Sequence, residues 1–184
     1  MNRILAIILF LFPDYGLSQN IYFEPDTLHS KEIVFQDYII LEATDTISLF
    51  ESLGRPLKVS TYQEEDGDIE FAEFHYYYDY DGYDIRLFIA DSLLYFGNLT
   101  ITTSLKPLIL RGEEIKIGDP IQKLASMFPI SYELFQTRNK YLKPPFIFLV
   151  YFINDDLQYG YYGSIMFEIE EDTIKRMVVT SMIE

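Results

Sequence analysis

The chain of 184 residues has no cysteine, no tryptophan, only two histidines, and 14 basic residues against 29 acidic ones. Without cysteine there is no disulfide, no thiol nucleophile, no thiolate ligand for zinc and no residue to carry the diacylglycerol of a bacterial lipoprotein. With His29 and His75 the only imidazoles, a two-histidine metal site needs both to meet across a long stretch of chain, and a Ser-His-Asp triad must draw on one of them. No Gly-x-Ser-x-Gly elbow and no phosphate-cradling glycine loop occurs. The expectation is therefore a protein without catalytic residues, bound metal or cofactor.

The net charge of −15 argues against nucleic acid, because nonspecific affinity for phosphates comes from counterion release around Lys and Arg. The one concentrated basic segment, Arg138, Lys140 and Lys143 beside Pro144 and Pro145, reads as a solvated turn. Near the start, Arg3 precedes nine consecutive apolar residues, Ile4 to Phe12, followed by Gly16-Leu17-Ser18. That is the grammar of a secretory signal peptide, residues 1–18, cut before Gln19. The apolar run is about half of the roughly twenty residues that a membrane-spanning helix needs, and no later segment comes closer. A secreted, periplasmic and non-lipidated protein is expected, without a transmembrane segment after cleavage. Removing residues 1–18 takes away Arg3 and Asp14 together and leaves the charge unchanged.

What the chain has in plenty is tyrosine and phenylalanine, 17% of its residues, which suit half-buried pleated surfaces. Two helix starts share one pattern, Asp45-Thr46-Ile47-x-x-Phe50-x-x-Leu53 and Asp119-Pro120-Ile121-x-x-Leu124-x-x-Met127. In the first, Asp45 reads as an N-cap, Ile47, Phe50 and Leu53 as one apolar stripe, and Gly54 with Pro56 as the stop. In the second, Pro120 reads as the first helical residue after Asp119, and Pro129 as the end of a helix over 121–128. Strand patterns follow each helix. Asp81-Gly82 is a hairpin signal, and beyond it Ile85, Leu87 and Ile89 alternate with Asp84, Arg86 and Phe88, so one of these rows is core. Strands are also read at 33–41, 93–96, 99–103, 108–110, 115–117, 146–153, 158–162, 164–169 and 174–179, with turns at the acidic runs 64–68, 154–156 and 171–172. Aligning Ile47 with Ile121 and Ile85 with Ile165 changes the offset by only a loop's length, which predicts an internal duplication. The fold class expected is α+β: two tandem helix-plus-antiparallel-sheet units, residues 19–103 and 104–184, with short helices packed on one face. Below about 80 residues a single core rarely yields more than roughly 3 to 5 kcal/mol, so the units are expected to share a sheet or an apolar seam.

The segment from Lys116 to Pro129, with Gly118-Asp119-Pro120, Leu124 and Phe128-Pro129, resembles the helix start of secreted bacterial proteins of the β-lactamase-inhibitor-protein-like fold. Small outer-membrane assembly lipoproteins of the SmpA/OmlA type share this kind of motif. The resemblance covers roughly residues 31–181 and implies two tandem units whose joined sheet offers an aromatic face to a partner. Those inhibitors carry disulfides, the assembly lipoproteins carry a lipidated cysteine, and this chain has neither. What the resemblance implies is a non-catalytic, partner-binding scaffold, the partner being another protein or an envelope component.

The run His75-Tyr76-Tyr77-Tyr78-Asp79-Tyr80-Asp81-Gly82-Tyr83 is the most unusual in the chain. Strand alternation puts Tyr76, Tyr78 and Tyr80 on one side and His75, Tyr77 and Asp79 on the other. Tyrosine buries a large ring at low entropic cost while its hydroxyl stays wet. The candidate binding face and hairpin are therefore Tyr76, Tyr78, Asp79, Tyr80, Asp81 and Tyr83, with Tyr151, Tyr159, Tyr161 and Tyr162 in the second half. The bland alternative is that these rows pack beneath helices. Asp79, Asp81 and Asp84 could offer oxygens to Ca²⁺, but their spacing departs from the EF-hand loop and suits a charged hairpin tip better. Two other functional classes stay open: an acidic hydrolase with a carboxylate pair and tyrosine sugar platforms, and a structural envelope protein.

Overall fold

The computed structural model describes residues 26–39, 46–64, 73–90, 93–139, 145–154 and 161–182. The signal peptide, the Asp45 cap, the acidic turn after residue 64, the turn at 155–156, Tyr159 and the cations Lys140 and Lys143 lie outside them. Twelve strands are described: β1 Leu28–His29, β2 Ile33–Phe35, β3 Tyr38–Ile39, β4 Lys58–Glu64, β5 Glu73–Tyr80, β6 Tyr83–Ala90, β7 Leu93–Ile101, β8 Leu108–Leu110, β9 Glu113–Ile115, β10 Phe146–Asn154, β11 Tyr161–Glu170 and β12 Thr173–Met182. Three α-helices accompany them, α1 Thr46–Leu53, α2 Ile121–Met127 and α3 Pro129–Asn139. The protein is α+β and mostly strand. Eight strands form one sheet in the order β1-β10-β11-β12-β7-β6-β5-β4, and four form a smaller sheet in the order β3-β2-β8-β9. Apart from the parallel β1/β10 pair, every pairing is antiparallel.

Register decides which residues become core. The row Tyr78, Ile85, Leu99, Val179, Ile165 and Val150 crosses six strands, and the next row is Tyr80, Tyr83, Ile101, Met177, Phe167 and Phe148. All but Tyr80 are buried, and each fully buried Leu, Ile, Val or Phe is worth roughly 1.5 to 3 kcal/mol. The helices and the small sheet cover these rows. Phe50 of α1 meets Tyr78 edge-on at 5.2 Å, Phe135 of α3 lies 5.6 Å from Phe148, and Phe35 of β2 lies 5.0 Å from Tyr83.

Tight turns set the hairpins. Gln36-Asp37, Arg111-Gly112 and Glu171-Asp172 each take two consecutive positive φ angles, the two-residue geometry whose twist matches that of paired strands. The sequence segments read as 33–41 and as separate strands about Gly97-Asn98 prove otherwise. A hairpin interrupts the first, and β7 runs unbroken through the second. There the register passes from Arg86 opposite Asn98 to Leu87 opposite Phe96, so Gly97 is the extra residue of a β-bulge. A Cβ on Gly97 would stand 3.1 Å from the Arg86 carbonyl oxygen.

Two helix readings need correction. In α1 the buried residues are Leu49 and Leu53, while Ile47 is 70% exposed; the core stripe uses the i, i+4 spacing, with Phe50 beside it. Its stop is as expected, Gly54 at φ 80° with its N–H donated to the Phe50 carbonyl at 2.9 Å. In α2 the N-cap position is Pro120, and the Asp119 carboxylate does not cap helix amides. It accepts the Lys116 N–H at 3.0 Å and pairs with the Lys123 ammonium at 2.8 Å. Pro129 ends α2 but also opens α3, a helix that its polar-rich sequence conceals. The buried carboxylate of Asp26 accepts the Ser131 N–H at 2.6 Å, so α3 is capped from a residue far away in sequence. The start of α2 is tied to the β11/β12 turn by the Ile121 N–H to the Asp172 carbonyl at 2.9 Å.

Candidate functional site: the open face of the large sheet

The same registers that bury one face of the eight-stranded sheet assemble the other. On it Tyr62 and Tyr151 are exposed, whereas His75, Thr100, Ser164 and Val178 are buried. One row on this face runs Ser60, Tyr77, Arg86, Asn98, Thr180, Ser164 and Tyr151, polar throughout. A second, Tyr62, His75, Phe88 and Tyr95, crosses β4 to β7 as an aromatic ladder. Successive ring centroids are 6.4, 5.9 and 5.3 Å apart, within the range where rings attract beyond simple burial. Tyr62 and Tyr151 are 58% and 50% exposed, and Ile147, further along the same face of β10, is 40% exposed.

Arg86 joins the two rows. Its guanidinium lies over the Tyr77 ring at 5.6 Å and one terminal nitrogen is 2.9 Å from His75 Nδ1. An arginine can only donate, so Nδ1 is the acceptor of this bond. These contacts hold the cation flat on the sheet, between an aromatic face and a ring nitrogen.

A third row carries carboxylates: Lys58, Asp79, Asp84 and Thr100 are successive neighbours. Burial pushes the Asp84 carboxyl above its ordinary value; the Thr100 hydroxyl opposes this, the Asp79 charge adds to it, and Arg176 opposes it. Asp79 and Asp84 thus face each other across a strand pair while Asp81 stands exposed in the turn. The three carboxylates do not converge, and no group of three or more metal-ligating side chains is found among the described residues.

Of the tyrosines singled out in the sequence, Tyr76, Tyr78, Tyr80 and Tyr83 sit on the covered side. Tyr78 and Tyr83 are buried and unavailable to a partner, and Tyr76 and Tyr80 are half-buried. Their hydroxyls work inside the fold, Tyr83 donating to the Leu53 carbonyl and Tyr80 to the Gly54 carbonyl, each at 3.3 Å. Burial raises the phenol pKa of Tyr78, Tyr80 and Tyr83, and with the neighbouring Tyr83 and Tyr78 pushes Tyr80 to about 12. Of the sequence candidates, Tyr151 and Asp79 belong to the open face. Tyr161 and Tyr162 open strand β11. The open face instead draws on Tyr62, Tyr77, Arg86, Phe88 and Tyr95. The signal that distinguishes the rows was present: a two-residue Asp81-Gly82 turn sets Tyr80 opposite Tyr83 and Tyr78 opposite Ile85, and so assigns the even-numbered tyrosines to the apolar row.

Among the described residues no helix is long and apolar enough to cross a membrane. Comparison with family models, with curated proteins and with solved structures returns no match.

Proposed function

We propose that this protein is a secreted, periplasmic, non-catalytic binding module that holds another protein or an envelope component against the open face of its eight-stranded sheet. The observation that carries the reading is the split of one sheet into a covered apolar face and an opposite face lined by Tyr62, Tyr77, Arg86 and Tyr151. Tyrosine and arginine are the residues that dominate protein recognition sites, because each offers large contact area with a polar end. The signal-peptide grammar of residues 1–18 supports export, and the absence of cysteine supports a free, non-lipidated chain.

The architecture proposed is two tandem units of the β-lactamase-inhibitor-protein-like kind. The small sheet joins through β2 and β8, and the large sheet through β7 and β12, each an antiparallel contact between the proposed halves. One offset relates the pair Val34/Ile39 to Ile109/Glu114, and also Leu49 to Leu124 and Leu53 to Phe128. A second relates Ile85/Leu99 to Ile165/Val179. These pairs support a duplication, but with Thr46 rather than Ile47 matched to Ile121. Ile47 is 70% exposed and Ile121 only 2%.

The test is replacement of Tyr62, Tyr77 and Tyr151 by Ser, followed by recovery of partners from a native envelope extract. Loss of a partner by the folded triple variant is expected, and undiminished recovery would sink the proposal. A second reading, an acidic hydrolase, draws on the Asp79/Asp84 pair and the raised Asp84 carboxyl. It is the weaker because it rests on this one pair, whereas the proposed binding face is assembled from residues of several strands.

A further inference from the structure

An edge strand leaves a row of backbone N–H and C=O groups unpaired, and proteins blunt such edges by making them short, bulged, proline-bearing or charged. Three of the four sheet edges here are short: β1 and β3 have two residues each and β9 has three. The fourth, β4, is seven residues long, and no described strand pairs with its outer side. It has no proline, and its register with β5 is unbroken over its whole length. Three of the large apolar residues exposed on the protein gather at this strand, Leu57 at 77%, Val59 at 52% and Tyr62 at 58%.

We infer that β4 pairs antiparallel with β4 of a second copy of this chain, about a two-fold axis passing beside Ser60. The strand is self-complementary in that register. Val59 then lies opposite Thr61 of the second copy, a β-branched pair on the face that carries the helices. On the open face Lys58 lies opposite Tyr62 of the second copy, a cation over an aromatic ring, and the contact occurs twice by symmetry. No like charges meet, and the open faces of the two copies become one continuous surface. A foreign strand would have to bring such complementarity; a second copy has it built in. Because a strand pair alone buries less than the roughly 1,200 Å² of a standard stable interface, the association is concentration-dependent.

Sedimentation of the chain from micromolar to millimolar concentration tests this, with Ser60→Lys and Ser60→Glu as separate variants and as an equimolar mixture. Circular dichroism confirms that each variant is folded. The wild type is expected to dimerise, each variant to weaken the dimer by at least about threefold through like charges directly opposite, and the mixture to restore it. Dimerisation indifferent to both variants would put the contact elsewhere and overturn the inference. A wild-type monomer at every concentration overturns it too. Protected β4 amides in that monomer would mean that the chain covers its own edge, and freely exchanging ones would leave the edge to a foreign strand.

Discussion

Gly163 and Phe152 show how little room single residues have in this sheet. They are directly paired across β10 and β11, and a Cβ on Gly163 would stand 2.0 Å from the Phe152 ring. Gly163→Ala must displace a buried phenylalanine and is expected to cost about 1 to 3 kcal/mol, read from the denaturant midpoint at unchanged slope. Charge acts as locally. At Asp119 burial works against ionisation, but the Lys123 ammonium, the Lys116 amide and the Lys116 charge together hold the carboxyl below its ordinary value of 3.8. A carboxyl whose folded pKa is depressed stabilises the fold above the unfolded value, and that contribution is lost as pH falls through the folded one. Asp119→Asn is therefore expected to lower thermal stability at pH 7, and the difference from wild type is expected to shrink as pH falls through the depressed pKa of the folded state. Asp84 has the opposite sign, since its folded pKa is raised. Its ionisation above the ordinary value opposes folding, so Asp84→Asn is expected to raise the melting temperature at pH 7 and to lose that advantage in acid. An Asp84→Asn protein less stable than wild type at pH 7 would contradict the burial argument.

Helix and strand positions were legible in the sequence to different degrees, for a physical reason in each case. The Gly54 stop was legible because a left-handed C′ glycine followed by proline has few other uses. The buried stripe of α1 was not, since Ile47, Leu49, Phe50 and Leu53 satisfy several helical spacings at once and only the position of the sheet chooses among them. Leu49→Ala is expected to cost about 2 to 5 kcal/mol, whereas Ile47→Ala should stay within about 0.5 kcal/mol of wild type. Equal effects would mean that the helix is rotated from the register described. α3 was missed because Pro129 reads as a stop, and its cap comes from Asp26, which no local pattern can reveal. The open face was partly legible. Alternation separated His75, Tyr77 and Asp79 from Tyr76, Tyr78 and Tyr80, and the short turn at Asp81-Gly82 could have told which row was core. Arg86 and Tyr62 were not legible as members of one site, because it takes three strands in register to bring them together.

At the scale of the whole molecule the large sheet carries both structure and proposed function. β7 and β12 join through four residue pairs from Asn98/Thr180 to Ile101/Met177, and β2/β8, β1/β10 and the cap from Asp26 to Ser131 also cross between the proposed halves. A fragment of residues 104–184 loses all of these ties, and it is expected to lack a cooperative unfolding transition; a sharp transition in the isolated fragment would contradict a shared core. The same sheet commits its two faces to different ends, one under helices with Tyr78 and Tyr83, the other outward with Tyr62 and Tyr151. The most direct measurement is chemical modification of tyrosines in the native chain, mapped by mass spectrometry with and without envelope extract. Tyr62 and Tyr151 should react in the free chain and lose reactivity when a partner is bound, while Tyr78 and Tyr83 react only after unfolding. Unreactive Tyr62 and Tyr151 in the free chain, or reactivity that a bound partner leaves unchanged, would contradict the assignment of this face to binding.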